Sequence, residues 1–408
     1  MNQQQITLHT LPNGLRVVHI KHHTAVGWAG LAIDAGSRDE DDNSHGLAHF
    51  VEHTIFKGTT HRRAWHINSR MERVGGELNA YTTKETTMLY SVFPGPYLAR
   101  ALELLADLAC HSVFPQHELQ RELDVVLEEA ASYRDTPAEA VFDDFEDLLF
   151  AGSQLGHNIL GNENHLRGLN GHHCHDYVER LYTPQRMVLF CVDNSAPARV
   201  MRMAERYFGP LQRPAGAPVR QLPPVTAPRR LTTQLGLHQA HTVVGARVAG
   251  MFSDERFALS LLSNILAGPG MNSLLNVELR ERRGLVYTVE SSLTLYTDCG
   301  SLLIYLGCDH DTTARALRII GNTVDRIAAG AIGERALEAH KRQYCGQLLV
   351  ASDSSEALAM GAGRSVLYYG QVSSLSSTIE RIRAVTPAQL REAAASLVLP
   401  RCSVLTLY

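Results

Sequence analysis

Three residues of the run 45–56 have the types and the spacing for hydrolytic chemistry. His49, Glu52 and His53 stand in the order H-x-x-E-H. In a helix that turns about 100° per residue, His53 lies roughly 40° from His49 and Glu52 roughly 60° to the other side, so all three share one face. Two imidazoles one turn apart can bind a single Zn²⁺, and the carboxylate can take a proton from a metal-bound water. The run therefore predicts a zinc centre for hydrolysis.

The other residues of this run are apolar almost all round the helix, which is typical of a buried helix. They are Leu47, Ala48, Phe50, Val51, Ile55 and Phe56. Ionisable groups in a buried helix are costly unless they are paired or bind a metal. The motif alone is suggestive rather than decisive, and a structural helix without metal is the alternative.

A second set of carboxylates lies on a helix predicted over residues 116–133. Glu122 and Glu129 fall within its apolar stripe and are seven residues, or two turns, apart. Carboxylates on a buried face need a partner, and a nearby dication would explain their placement. The alternative is that the pair Glu128 and Glu129 belongs to a solvated surface.

A rival cluster with the composition of a metal site lies at residues 172–175, which read His-His-Cys-His. Adjacent residues at the start of a helix point in different directions, and no distant pair of ligands is evident. A solvated helix start, with Asp176 nearby, is the favoured interpretation.

Composition indicates an ordinary globular protein that is long enough for two domains. The chain has 408 residues, of which 45% are hydrophobic and 20% charged. No apolar run approaches the roughly 20 residues that span a bilayer, and the start lacks a signal-peptide pattern, so we expect a cytoplasmic protein without a membrane segment. The net charge of −4, without a long basic run, gives no support for nucleic acid as a partner. The seven scattered cysteines indicate reduced thiols.

The order of the predicted elements repeats along the chain. Each half begins with strands, continues with several helices and has a strand near its close, which indicates a weak internal duplication. Residues 210–230 contain six prolines and predict an extended linker. We therefore predict an α+β fold of two similar α/β-sandwich halves, each a mixed, mostly antiparallel sheet packed by helices. The zinc-binding domain would be 1–209 and the second domain 231–408.

Four motifs of this chain resemble those of the pitrilysin (M16) family of inverted zinc metallopeptidases. They are the H-x-x-E-H of 49–53, Glu129 at 76 residues beyond it, the run 75–82 (GGELNAYT) and the run 280–287 (RERRGLVY). In size the chain resembles the short, M16B-like branch, to which the mitochondrial processing peptidases and their bacterial relatives belong. The resemblance spans both halves of the chain.

The resemblance assigns roles to the residues of the first half. It implies that His49, His53 and Glu129 bind one Zn²⁺ per chain and that Glu52 activates the water. Glu122 would be a carboxylate that supports the site from behind its ligands.

In the second half, the resemblance implies that Arg280 and Tyr287 act at a zinc site. The Tyr hydroxyl, with the Arg, would stabilise the oxyanion of the tetrahedral intermediate and contact the peptide backbone. Without the resemblance, the favoured interpretation is a cation near a helix C-terminus for Arg280 and a strand aromatic for Tyr287.

The predicted strand 77–82 could bind the substrate. An exposed sheet edge beside a zinc site can take an extended peptide as an added strand, so Asn79, Ala80 and Tyr81 are candidate substrate-binding residues. Affinity would then come from backbone hydrogen bonds, and specificity would be broad. An ordinary paired strand is the alternative.

The predicted function is a zinc endopeptidase that hydrolyses peptides or unfolded segments in a chamber closed by two pairs of domains. Because this chain has one pair, it would need a second chain: a homodimer with two sites, or a heterodimer with a zinc-less subunit. Two alternatives remain, a non-catalytic core or assembly subunit and a processing peptidase dedicated to one precursor.

Overall fold

The computed structural model describes residues 5–214 and 219–408. Two short segments lie outside the described residues: 1–4, and 215–218 of the predicted linker. The described strands are β1 (Gln5–Thr10), β2 (Arg16–Lys21), β3 (Val26–Ile33), β4 (Glu77–Thr82), β5 (Thr87–Pro94), β6 (Met187–Asp193), β7 (Arg230–Thr233), β8 (Ala240–Val248), β9 (Val286–Leu295), β10 (Gly300–Cys308) and β11 (Ser403–Leu407). The described α-helices are α1 (Leu47–Thr54), α2 (Ala64–Glu72), α3 (Leu98–His111), α4 (Gln116–Arg134), α5 (Pro137–Leu149), α6 (Glu163–Gly168), α7 (Gly171–Leu181), α8 (Pro197–Phe208), α9 (Glu255–Ala267), α10 (Thr313–Ala328), α11 (Glu334–Ala351), α12 (Ser355–Tyr369), α13 (Leu375–Arg383) and α14 (Pro387–Ala395). None of these helices is long and apolar enough to span a membrane.

The two sheets share one strand order. The first runs β1-β2-β6-β3-β5-β4 and the second β7-β11-β8-β10-β9, so the second repeats the first without a counterpart of β1. In each sheet one pair is parallel, β2 with β6 and β7 with β11, and the remaining pairs are antiparallel. The prediction of two similar, mostly antiparallel sheets packed by helices is confirmed.

The chain forms two compact units whose segments interleave. The first comprises the described residues within Met1–Ala130, Asn158–Arg220 and Ala351–Ser373, and the second comprises Ala131–His157, Gln221–Val350 and Ser374–Tyr408. The predicted domains, 1–209 and 231–408, are consecutive stretches, whereas α5 packs in the second unit and α12 in the first. Apolar residues on the second face of each sheet need a cover, and a helix distant in sequence provides it.

Helix α12 covers one face of the first sheet. Ala359, Ala362 and Val366 pack against strand residues such as Phe190. At Gly363 a Cβ would lie 2.6 Å from Cδ1 of Phe190, so only glycine permits this close approach. The opposite face of the sheet meets the main core, which α1 and α3 help to form.

Helix α5 has the corresponding position in the second unit. Its residues Val141, Phe145 and Leu149 pack against Val243 and Leu405 of the second sheet. The other face of that sheet meets α9, α10 and α14 in a separate core.

The sequence pattern of residues 273–280, before β9, predicts an α-helix, and the structure differs from this prediction. Asn276–Glu281 is a π-helix, in which the Arg282 N–H donates to the Val277 carbonyl, five residues back, at 3.0 Å. Leu279 is buried in the core, and its carbonyl accepts from the Leu285 N–H at 2.8 Å. The wider turn accommodates one more residue between these anchored positions, which α-helical periodicity in the sequence does not reveal.

Candidate metal centre and active site

The helix that carries H-x-x-E-H begins at a specialised corner. Gly46 precedes α1 with φ = 99°, a conformation that favours glycine. The buried Glu40 carboxylate accepts hydrogen bonds from the Gly46 N–H at 3.0 Å and the Ala48 N–H at 2.7 Å. These bonds satisfy donors that the first turn leaves without intrahelical partners. Burial raises the pKa of Glu40 to about 8, and the two backbone hydrogen bonds act against that rise.

His49, His53 and Glu129 lie together in the first unit. Their ligand atoms are all within 4.8 Å of one another. His49 Nε2 lies 3.8 Å from Glu129 Oε1, and His53 Nε2 lies 3.3 Å from Glu129 Oε2. The exposed side-chain fractions are 9% for His49 and 47% for Glu129, so the cluster is closed on the helix side and open on the Glu129 side.

The donor set of this cluster fits Zn²⁺. Two imidazole nitrogens and one carboxylate oxygen are a typical ligand set for catalytic zinc, which leaves a position for water or substrate. The pKa of His49 is lowered to about 4, mainly because the side chain is buried and to a smaller extent because His53 is close. His49 is therefore neutral near pH 7, as a zinc ligand must be. Its Nδ1 is buried and has no hydrogen-bond partner within residues 5–214 and 219–408.

Glu122 contacts the side of the His53 ring that faces away from Glu129, and its predicted supporting role stays a prediction. Its Oε1 lies 3.1 Å from His53 Nδ1, and its Oε2 lies 2.5 Å from Lys57 Nζ. The contact with Nδ1 orients the ring so that Nε2 faces Glu129. Glu128, the exposed neighbour of Glu129, is not part of the cluster.

Sequence reasoning missed two residues that support the site, Glu40 and Lys57. Lys57 follows His53 by four residues, and this spacing could have indicated that it reaches the same carboxylate. Glu40 precedes the helix by seven residues across a loop, and no local pattern identifies it as the acceptor at the helix start.

Glu52 is half-buried beside the end of β4. Burial raises the pKa of its carboxyl, while contacts with Thr82 and His53 act in the opposite direction. Thr82 is the last residue of β4, and α1 packs against this strand. The H-x-x-E-H helix and the predicted substrate strand are therefore neighbours within the first unit.

Strand β4 is an edge strand of the described sheet, paired with β5. Ala80 packs toward the main core, and Asn79 is exposed. The hydroxyl of Tyr81 accepts a hydrogen bond from Arg364 Nη2 at 3.0 Å. The strand thus presents backbone groups at its free edge, while its side chains alternate between the two faces.

Arg280 and Tyr287 lie in the second unit, at the π-helix and on β9. The exposed Arg280 has Nη1 3.9 Å from Met271 Sδ. The hydroxyl of Tyr287, a residue that is 54% exposed, donates to Asp309 Oδ1 at 2.9 Å. That hydrogen bond raises the pKa of Tyr287. Their catalytic roles stay predictions.

The rival cluster at residues 172–175 lies at the start of α7, where its three histidines are exposed and Cys174 is buried in the main core. Asn170 caps the helix by accepting from the His172 and His173 N–H groups, and His172 Nδ1 lies 2.7 Å from Asp176 Oδ2. None of the metal-ligand clusters found in the described part of the chain includes these residues.

Comparison with known proteins identifies the family. The protein-family model described as "Insulinase (Peptidase family M16)" matches residues 16–163, and the family model "Peptidase M16 inactive domain" matches residues 170–344. "Uncharacterized zinc protease YmxG" of Bacillus subtilis is 32% identical and aligns over 93% of this chain and 92% of its own length. The mitochondrial-processing peptidase subunit beta of Bos taurus is 29% identical over 96% of this chain and 82% of its own length.

Solved structures agree on the fold. A protease from Helicobacter pylori superposes with a TM-score of 0.92 at 20% identity, covering 99% of this chain and all of that one. Homologues over nearly the full length are named zinc proteases, and Zn²⁺ is the metal that this family implies for the cluster. The chain belongs to the M16 family of zinc peptidases and resembles its M16B branch.

Proposed function

We propose that this chain is a zinc endopeptidase whose metal is held by His49, His53 and Glu129. The observation that carries the proposal is the convergence of these three ligands within 4.8 Å, with the half-buried Glu52 on the helix that carries the two histidines. A structural helix would have no need to place the buried His49 and the half-buried His53 beside carboxylates.

The side chains have complementary roles in this proposal. Zinc, when bound, supplies a Lewis acid that polarises the scissile carbonyl and acidifies water. Glu52 accepts the proton of the attacking water and returns it to the leaving amine. Burial raises its pKa, which makes the carboxylate a stronger base toward the proton of the water. Glu122 keeps His53 oriented through Nδ1.

The substrate in this proposal is an extended peptide or an unfolded segment. Edge strand β4 has one open edge along Asn79, Ala80 and Tyr81, where alternate residues turn their backbone groups outward. Its last residue, Thr82, adjoins Glu52. Binding through backbone hydrogen bonds requires an extended chain and favours no particular side chain. We therefore expect folded proteins to resist cleavage.

The proposed assembly is a homodimer with two sites in a closed chamber. In each site Arg280 and Tyr287 of one chain would stabilise the oxyanion that forms over the zinc half of the other chain. Their exposure is compatible with such a role. A heterodimer with a zinc-less subunit is the alternative assembly.

The similarity to mitochondrial-processing peptidase subunit beta favours a second candidate, a processing peptidase dedicated to one precursor. Its chemistry would be the same, and its cleavages would be confined to one class of sequence. A non-catalytic assembly subunit is the third candidate, and the complete set of zinc and acid–base residues argues against it.

Digestion of a mixed peptide library, with zinc analysis of each sample, tests the chemistry. We expect Glu52→Gln to retain zinc and to lose cleavage by at least about 100-fold. Glu129→Gln should lose the zinc of this site, whereas its matched neighbour Glu128→Gln should retain both this zinc and cleavage. Zinc bound by the wild type without any cleavage would favour the assembly role, and cleavage at one sequence class would favour the dedicated peptidase.

Mixing two inactive variants tests the proposed assembly. If each site combines two chains, a mixture of Glu52→Gln and Tyr287→Phe contains dimers with one intact site, and about a quarter of the wild-type activity returns. If each site lies within one chain, or requires a different subunit, mixing restores nothing.

A further inference from the structure

A second set of metal-ligand side chains lies in the first unit and shares no residue with the proposed catalytic site. It consists of His61, Asp107 and His111, whose ligand atoms are all within 4.8 Å of one another. His61 lies in the connection between α1 and α2. Asp107 and His111 are four residues apart on α3, so their side chains lie on one face of that helix. The cluster therefore joins two segments that are distant in sequence.

The two imidazoles converge on a single carboxylate oxygen. His61 Nδ1 lies 2.6 Å and His111 Nδ1 lies 3.2 Å from Asp107 Oδ1. The rings stand almost perpendicular, at 80°, with centroids 4.5 Å apart. In the absence of metal, each ring can meet this oxygen by donating its Nδ1 proton. With the ring proton on Nε2 instead, both Nδ1 lone pairs are available to a cation between them.

The other oxygen of Asp107 is held by groups that fix its orientation. Thr59 Oγ1 donates to Oδ2 at 2.9 Å, and Arg62 Nη1 donates to it at 2.5 Å. Such hydrogen bonds orient a carboxylate ligand and leave Oδ1 free for a metal. Arg62 also binds Glu103 at 2.5 Å, so its positive charge is shared between two carboxylates.

The burial pattern is that of a site at the protein surface with an open side. Asp107 is 3% exposed, whereas the side chains of His61 and His111 are 57% and 45% exposed. A cation held there would keep at least one position for water. The ligand set of two imidazoles and one carboxylate suits Zn²⁺ among the divalent cations.

We propose that His61, Asp107 and His111 form a second, exchangeable Zn²⁺ site. The bound ion links the connection between α1 and α2 to the C-terminal end of α3. The backbone already joins these segments, since the Thr60 N–H donates to the His111 carbonyl at 2.9 Å. Zinc binding at this site adds stability to the folded chain by mass action.

The test is a titration of the metal-stripped protein with Zn²⁺ against a competing chromophoric zinc indicator. The wild type should bind two equivalents, and the double variant His61→Ala/His111→Ala should bind one. The matched control is His66→Ala, an exposed histidine on the adjacent helix α2, which should still bind two. A wild type that binds one equivalent, or a double variant that binds two, overturns the proposal.

The single variant His61→Gln keeps the inference testable if the double variant does not fold. Its side-chain amide can still donate to Asp107, so the fold should be preserved while one ligand is lost. We expect the second equivalent to bind at least about tenfold more weakly, with the first unchanged. Unchanged affinity for both equivalents overturns the assignment. His49→Leu separates the two sites, because it should lose the first equivalent and keep the second.

Discussion

Helices α1 and α9 have matching places in the two units but opposite composition. Each follows a central strand, β3 or β8, and each packs against the strand at one edge of its sheet, β4 or β9. Helix α1 buries His49 next to Glu52 and His53, whereas the core face of α9 is largely aliphatic.

The difference shows that the fold itself does not require polar residues at this position. The second unit builds the same strand order around an apolar helix. Polar groups buried in the first unit are therefore a cost that the fold can avoid, which supports the proposed metal-binding role. The predictions below exchange or alter the features that separate the two helices, in order of decreasing effect.

The largest effect is expected when α1 is made to resemble α9. His49→Leu removes a zinc ligand, so zinc binding at this site and peptidase activity should be abolished. Without metal, the variant should be more stable by about 1 kcal/mol, because the buried His49 Nδ1 has no partner within the described chain. Zinc analysis and urea unfolding of the metal-stripped proteins measure both effects. Stoichiometric zinc at this site in the variant would contradict the proposed ligand set.

The reverse exchange should damage the second unit. Leu262 on α9 is fully buried, and Leu262→His places an imidazole in an apolar core. We expect a loss of about 3 to 5 kcal/mol in the free energy of unfolding. The volume-conserving Leu262→Met is the control and should cost less than about 1.5 kcal/mol. Equal losses for the two variants would show that polarity is not what separates α9 from α1.

The starts of the two helices should differ in their response to pH. The pKa of the buried Glu40 is raised from 4.5 to about 8, so the stability it contributes is fully present below pH 4.5 and is lost as pH rises through 8. Glu40→Gln removes this dependence. Relative to the wild type, the variant should gain a few kcal/mol across that window.

Urea unfolding of both metal-stripped proteins across this pH range measures the difference. The control is Asp254→Asn at the start of α9, where the side chain is 75% exposed, and it should show no such trend. A stability difference between Glu40→Gln and the wild type that does not change with pH would contradict the raised pKa.

The smallest effect concerns the helix that covers the first sheet. Gly363→Ala should destabilise by about 1 to 2 kcal/mol, because the new Cβ would lie 2.6 Å from the buried Phe190 ring. Gly361→Ala on the same helix meets nothing within 4 Å and should stabilise by about 0.5 to 1 kcal/mol. Thermal unfolding of the two variants, compared with the wild type, measures opposite shifts. Shifts of the same sign would show that α12 does not pack as closely as described.

Much of the candidate site was predictable because its key spacings are local. The shared face of His49, Glu52 and His53 follows from helical periodicity, and the spacing of Glu122 and Glu129 places both on one face of α4. The bounds of strand β4 follow from a short run of residues between turn signals, and the structure reproduces the predicted range 77–82. The similar order of strands and helices in the two halves was also predictable, because each element is specified by its own local sequence pattern.

Contacts between distant residues were decided by tertiary structure. The pairing of His53 with Glu122 and Lys57, the capping of α1 by Glu40 and the cluster around Asp107 each join segments that no short-range pattern connects. The same holds for the interleaved helices α5 and α12, since their apolar faces fit any exposed sheet face of suitable shape. Periodicity determines which face of an element is apolar or reactive, but the partner of that face depends on how the whole chain packs.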